Sequence, residues 1–281
     1  MASSTRPPLR LSASIVVYNS APELLRRTLE SLYRAASVAL QGSDDRLIIE
    51  LVDNASEPAY AEQLRAIIER LPHQRQIALR LYPLARNRGF GAGHNAAMAR
   101  IDSDFHLVLN PDAELDEGAL LAGLRRFEAN PDTVLVSPRV YSESGAQEFL
   151  CKRYPTVLVL LLRAFAPAWV QQAFARRLAR YQMEDVCAAG EVVPVPLASG
   201  CCMLVRSAYL QQVGGFDERY FLYFEDFDLS LRLAAHGPLL FEPAMRIVHH
   251  GGYAARKGLA HLCYFVGSGL RFFNQHGWRW I

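Results

Sequence analysis

No apolar run in this chain approaches the roughly 18 residues that a membrane-crossing helix needs. The first apolar run, Ile15 to Tyr18, has the length of a strand, and what precedes it lacks the apolar stretch and small-residue cleavage site of a secretory leader. Cysteine is sparse and unpatterned. Five among 281 residues, an odd number with no C-x-x-C, argue against a disulfide framework and a structural zinc site and for a reducing compartment. The adjacent Cys201 and Cys202 read as small core residues. An excess of either charge is also lacking: the net charge of +2 points to no nucleic-acid partner. Repeats and low-complexity linkers are absent. These absences describe one cytoplasmic domain spanning 1–281, whose 51% hydrophobic content supports a sizeable core.

What is present alternates. Strand-like runs fall at 14–18, 47–52, 77–82, 105–109 and 134–136, with helical stretches at 23–40, 60–71, 92–101 and 117–129. Near-continuous apolar strands separated by helices predict an α/β fold, a mostly parallel sheet covered on both faces. The second half is more mixed. Residues 195–206 read as one long or broken strand and 208–213 as a short helix ending at Gly214-Gly215. Phe227, Leu231 and Ala234 give 225–235 helical spacing with a stop at Gly237. An extended run at 239–248 is interrupted by Pro243, and a final helix covers 259–274.

The stretch 151–180 breaks the even charge balance: it carries Lys152, Arg153, Arg163, Arg176, Arg177 and Arg180 and no acid, interleaved with Phe165, Trp169 and Phe174. That is the composition of an interfacial amphipathic helix, or of a lid folded onto the rest of the protein.

Four short motifs place a carboxylate or imidazole where an apolar strand stops or a helix starts, the ligand-binding edge of an open α/β sheet. Asp53 ends the second strand, where it can form an Asx turn or accept the imide N–H of a pyrimidine base. Asp112 follows Asn110-Pro111, as a helix-capping turn or a cation ligand, with Glu114 as a further carboxylate. Glu225, Asp226 and Asp228 crowd a helix start; the helix dipole favours acids there, yet three of them repel, which suits a general base. His249 and His250 end a strand, so at most one of them faces a given site. A rival reading comes from Gly91-x-Gly93-x-x-Ala96 with Asp112 beyond it, which formally satisfies a dinucleotide fingerprint and would make the protein an NAD(P)-dependent oxidoreductase. The fingerprint, however, sits on the third strand–helix unit where the first is usual. A non-catalytic nucleotide-sugar-binding module is a third reading; it would need neither Asp226 nor His249.

The order of these motifs over about 11–252 resembles the family 2 glycosyltransferases of the GT-A fold, and their rhamnosyltransferase-like branch in particular. The resemblance implies an inverting transfer of a sugar, with L-rhamnose from dTDP-L-rhamnose favoured, to a saccharide or lipid-linked saccharide in cell-surface polysaccharide synthesis. It implies Mg²⁺ or Mn²⁺ held by Asp112 and His249, and Asp226 as the base. The nucleotide-sugar side would comprise Tyr18, Asn19, Asp53, the loop residues Asn87, Gly89, Gly91 and Asn95, and Asn110 with Asp112, all within about 11–140. The half over 141–281 would bind acceptor, with Glu225 and Tyr223 against it. The basic stretch implies contact with the inner face of the cell membrane. The chain departs from the family's Asp-x-Asp element in having Asn110 first, which the resemblance assigns to the ribose.

Overall fold

The computed structural model describes residues 7–100, 102–251 and 259–281; Ile101 and residues 1–6 and 252–258, on which some of the expectations above fall, lie outside the described residues. The alternation of apolar runs yields β1 (Arg10–Val17), α1 (Pro22–Ala39), β2 (Arg46–Asp53), α2 (Pro58–Glu69), β3 (Ile77–Pro83), α3 (Phe90–Met98) and β4 (Phe105–Leu109). Proline opens α1 and α2, where a missing N–H costs nothing and the fixed φ suits a helix. β1 pairs in parallel with both β2 and β4, and β3 pairs in parallel with β2. The apolar residues of these strands and of α1 form the main core.

After β4 come β5 (Ala113–Leu115), α4 (Ala119–Ala129), β6 (Leu135–Ser142) and β7 (Gln147–Glu148). Then follow α5 (Val157–Phe165), α6 (Ala168–Ala173), α7 (Ala175–Tyr181), α8 (Glu184–Cys187), β8 (Val193–Pro194), β9 (Cys202–Arg206), α9 (Ser207–Gln212), α10 (Glu225–Ala234), β10 (Leu239–His249) and α11 (Leu259–His276). The sheet runs β3-β2-β1-β4-β9-β6-β10-β5, with β7 on β6 and β8 on β10. β9 enters antiparallel between β4 and β6, and β5 closes the far edge antiparallel to β10. This mixed sheet with helices on both faces is the expected α/β architecture.

Three segments differ from expectation. β6 extends to Ser142 because Pro138 sits opposite Glu242 at a register shift in β10 between Glu242 and Arg246; the bulge accommodates Pro243, so neither proline interrupts its strand. Of the expected strand over 195–206 only Cys202–Arg206 is a strand; Gly200 turns away, its N–H donating to Asp226. The basic stretch is not one amphipathic helix but three short ones, broken at Pro167 and Phe174.

The second half is tied to α11 by Asp228. Fully buried on α10, it accepts hydrogen bonds from Arg232 (2.8 Å), Gln275 (2.8 Å) and His276 (2.8 Å), while Arg232 also donates to the carbonyls of Val213 and Gly215. Removing one member strands buried charge. Asp228→Ala is expected to cost about 3–5 kcal/mol, read as a fall in the urea midpoint; an unchanged midpoint would show the network to be dispensable.

Candidate active site

The C-terminal ends of β1 and β2 form the first part of the site. Asn19 and Ala55 adopt left-handed backbone (φ 48° and 63°), and Asn19 braces the two turns: its N–H donates to Ser56 Oγ (2.9 Å) and its side-chain oxygen accepts from Glu57 N (3.0 Å). Tyr18 projects into solvent. Asp53 is buried, and its Oδ1 accepts from Ser56 N (2.9 Å), so the Asx-type turn is real; Oδ2 makes no hydrogen bond within the described chain and stays available to a ligand.

The neighbouring Asn54 connects this edge to the glycine-rich loop. Its side chain donates to Asn87 Oδ1 (3.0 Å) and to the Gly89 carbonyl (3.0 Å) and accepts from Arg88 N (2.9 Å). Nothing in the motif spacing singled it out. The loop's glycines serve close approach to the protein's own chain. A Cβ on Gly91 would meet the Phe216 side chain at 2.7 Å, and one on Gly93 would meet Val16 at 2.7 Å. Gly89, at φ 89°, lies against the Phe221 carbonyl, which accepts from Phe90 N (3.0 Å). The Asn95 amide is engaged at both ends by Phe216 (2.8 Å each way), so it clamps the turn after Gly215. These glycines face side chains and backbone where a dinucleotide fingerprint would hold a pyrophosphate. Gly89→Ala combines left-handed strain with a collision against backbone and is expected to destabilise the fold by at least about 2–3 kcal/mol; a melting temperature equal to wild type would contradict this.

The second part lies where β5 and β10 pair. The register sets Ala113 opposite His249, and His250 N donates to the Asp112 carbonyl (2.9 Å), which brings Asp112 beside the strand end. His249 Nε2 stands 3.6 Å from Asp112 Oδ1, and its Nδ1 stands 3.4 Å from Glu148 on β7. Asp112 Oδ1 is buried without a hydrogen-bond partner. Two donors of this kind, too far apart to bond each other, fit neighbouring positions on one divalent cation whose bonds are about 2.0–2.2 Å. His250 turns the other way, buried against Glu114 (2.6 Å), which Arg27 also holds (2.7 Å); Glu114 is thereby occupied. Among the described residues no group of three or more His, Cys, Asp or Glu could hold a metal. The protein would supply two ligands, leaving the rest to waters and substrate phosphate, as suits Mg²⁺ or Mn²⁺.

The third part is the start of α10. Tyr223 and Phe224 are both left-handed (φ 71° and 65°), a costly pair of conformations of the kind that accumulates at functional sites. They deliver Asp226 to a cavity of about 390 Å³, whose wall includes Glu225, Tyr223, Ser199, Lys152 and Arg163. Asp226 accepts backbone N–H bonds from Gly200 (3.0 Å) and Phe227 (2.9 Å). Burial raises its pKa, against the pull of those bonds and of Lys152. Burial and the neighbouring charge of Asp226 push Glu225 far higher. Burial thus raises both carboxyls of this adjacent pair. The Asn110 N–H donates to the Cys201 carbonyl (2.9 Å), and the Cys201 thiol is raised by burial and further by the charges of Cys202, Asp112, Glu148 and Asp226. The 199–201 turn thus bonds Asp226 through Gly200 and, through Cys201, Asn110 two residues before Asp112.

The mixed Rossmann-like sheet, with candidate nucleotide, cation and carboxylate positions at its strand and helix ends, has the architecture of the GT-A glycosyltransferases. The model of glycosyl transferase family 2 matches residues 12–214, and the chain belongs to that family. The chain is 28% identical over 261 residues, 88% of its own length and 78% of the other, to an N-acetylglucosaminyl-diphospho-decaprenol L-rhamnosyltransferase of Mycobacterium tuberculosis. It is 26% identical over 178 residues, 60% of this chain and 63% of the other, to rhamnosyltransferase WbbL of Escherichia coli K12. Among solved structures, the mannosyltransferase PcManGT from Pyrobaculum calidifontis with GDP-Man and Mn²⁺ superposes with a TM-score of 0.59 at 18% identity, covering 96% of this chain and 76% of that one. GalNAc-T7 with UDP, GalNAc and Mn²⁺ also gives 0.59 at 17% identity, over 87% of this chain and 43% of the other, so this chain spans under half of that protein. These two similarities establish the fold. Family membership sets the oxidoreductase reading aside.

Proposed function

We propose that the protein transfers L-rhamnose from dTDP-L-rhamnose to a lipid-linked saccharide with inversion at the anomeric carbon, in cell-surface polysaccharide synthesis. The reading is carried by one observation: a buried, unpartnered Asp112 oxygen lies 3.6 Å from His249 Nε2, at the strand end after Asn110. Asp53 would accept the thymine imide proton, with Tyr18 and Asn19 beside it and Asn110 toward the ribose. The loop from Asn87 through Gly89 and Gly91 to Asn95 would support the donor sugar. Asp112 and His249 would hold Mg²⁺ or Mn²⁺, which supplies neutralisation of the departing diphosphate when bound. Asp226 takes the proton of an acceptor hydroxyl; that oxygen bonds to the anomeric carbon as the bond to the diphosphate breaks, and dTDP leaves. One displacement inverts the centre. Glu225 and the Tyr223 ring would orient the acceptor sugar.

The sequences of the mycobacterial and Escherichia coli relatives favour rhamnose as the sugar, and the Mn²⁺ in both structural neighbours favours a divalent cation. The test is to incubate the protein with dTDP-L-rhamnose, Mn²⁺ and a lipid-linked N-acetylglucosaminyl acceptor, and to determine the product's anomeric configuration by NMR. Transfer from another nucleotide sugar alone, or product with retained configuration, would refute the donor or the displacement respectively.

No described helix is long and apolar enough to cross a membrane. We place the protein at the membrane surface through α5 and α6, where Leu161, Phe165 and Trp169 (74% exposed) stand in solvent beside the exposed Arg163, Arg176 and Arg177. Pelleting with anionic vesicles at low salt is expected, and replacing Phe165 and Trp169 together by Ser should abolish it; equal pelleting of the variant would exclude this face.

A further inference from the structure

Lys152 is one of only two lysines in the chain, against 28 arginines, and it is buried (6% exposed) in the wall of the cavity that holds Asp226. Its ammonium donates to the Phe149 carbonyl, which uses one of three N–H groups. Arg163, from the pocket-facing side of α5, shares the same wall. Both cations lie close to the Tyr181 ring, Lys152 Nζ 5.9 Å and the Arg163 guanidinium carbon 5.4 Å from its centroid. Neither is ion-paired to a carboxylate among the described residues. Holding two unpaired cations together in a partly desolvated wall is unfavourable, and Lys152 shows it: burial, then Arg163, pull its pKa down to about 7. The carboxylates on the same wall, Glu225 and Asp226, form no ion pair with either cation. The cavity's remaining walls are apolar, from Leu150, Leu160, Phe227 and Phe265, and the exposed Leu161 and Phe165 continue the apolar surface outward along α5.

We propose that Lys152 and Arg163 form a diphosphate subsite for the acceptor, and that the apolar walls beside it receive the first isoprene units of a prenyl chain. The assignment rests on the glycosyl-transfer reading above and deepens it. A carboxylate acceptor would meet the same cations, but the apolar continuation along α5 favours a group that carries its charge next to a hydrocarbon. A diphosphate between Lys152 and Arg163 would return Lys152 to its charged form and remove the repulsion between the two. An acceptor anchored there has its sugar held toward Asp226, so recognition of the anion and positioning of the nucleophile are coupled.

The experiment measures binding of farnesyl diphosphate by calorimetry, to the full chain saturated with dTDP and Mn²⁺ so that the donor's own diphosphate site is occupied. Lys152→Met keeps the length of the side chain, and Arg163, although it lines the cavity, is solvent-exposed, so folding is not at stake in Arg163→Met. Each is expected to weaken binding at least 10-fold, and the pair at least 100-fold, with Lys152→Arg restoring most of the affinity. Wild-type affinity in both single variants would overturn the subsite. Inorganic pyrophosphate binding as tightly as farnesyl diphosphate would overturn the prenyl assignment, and phosphatidylglycerol vesicles displacing farnesyl diphosphate would make the site a headgroup site instead. In transfer assays the variants should raise KM for a prenyl-diphosphate-linked acceptor by a larger factor than KM for a neutral octyl glycoside; an equal rise for both would overturn the subsite. Because the binding assay contains no donor sugar, a failure to use dTDP-L-rhamnose would strike the donor reading and leave this result standing.

Discussion

Asp226→Asn is expected to leave nucleotide binding intact and to lower kcat by about 10²–10⁴-fold, the usual contribution of a positioned general base. The two backbone N–H groups that hold Asp226 at Gly200 and Phe227 can donate equally to an amide oxygen, so the substituted side chain should stay in place without accepting a proton. Glu225→Gln provides the contrast. Glu225 is buried, its carboxyl is pushed well above the usual range, and its Oε2 has no partner. An amide is close to the neutral acid in size and polarity, so this variant should keep kcat within about 10-fold. If Glu225→Gln were as inactive as Asp226→Asn, the roles of the pair would be reversed. The pH profile follows from the direction of each shift. With Asp226 as the proposed base, kcat should fall as pH drops through a value above the ordinary 3.8 of an aspartate, because burial raises this carboxyl. Glu225 acts on stability with its own sign. A folded pKa above the ordinary 4.5 means the folded state holds the proton more tightly, so its contribution is full below 4.5 and is lost as pH rises through the raised value. Glu225→Gln should flatten that alkaline loss, measurable as a smaller drop in melting temperature between neutral and alkaline pH.

Why some of this was legible and some was not follows from where the determinants lie. The strands β1, β2 and β4 are buried on both faces and read as apolar runs, so they need no tertiary information to be found. β5 is three residues long, and the outer half of β6 carries Pro138 and Arg139; both exist only because β10 pairs with them. The positions of Asp112 and His249 follow from motifs at strand ends, but their 3.6 Å approach depends on the antiparallel register of β5 and β10, across more than a hundred residues. Glu148 escaped notice because its two-residue strand β7 has no periodicity of its own, yet pairing with β6 sets it against His249. Lys152 was visible only as one charge in a basic stretch. Its burial arises from the bridge between Lys152 and Leu197, and no local pattern distinguishes it from the exposed Arg176 and Arg177.

Asp112→Asn is expected to remove the metal-dependent part of nucleotide binding while keeping the metal-independent part, since Asp53 and its turn lie at the other end of the donor site. For wild type, dTDP with Mn²⁺ at a hundred-fold excess over Kd should stabilise the fold by about 2.7 kcal/mol. That corresponds to a rise in melting temperature of roughly 5–10 °C for a domain of this size. In Asp112→Asn the rise should shrink to that seen with dTDP and EDTA. His249→Ala should behave in the same way. His250→Ala should not: His250 is buried against Glu114 and points away from Asp112, so its loss should lower the melting temperature without ligand and leave the Mn²⁺ increment in place. Gly251 supplies a further discriminating variant. The His249 ring lies directly over its Cα, in the space that a Cβ would fill. Gly251→Ala should therefore displace the imidazole and weaken the Mn²⁺ response although alanine offers no competing ligand. Glu148→Gln acts from the opposite side of the ring. A carboxylate at Nδ1 favours the tautomer with its proton on Nδ1 and the lone pair on Nε2, toward Asp112. Its loss should cost 10–100-fold in Mn²⁺ affinity, measured by titration in the presence of dTDP. An unaltered Mn²⁺ increment in Asp112→Asn and His249→Ala alike would move the cation away from the β5–β10 edge. A loss confined to those two, Gly251→Ala and Glu148→Gln, with His250→Ala responding as wild type, would locate it there by four separate substitutions.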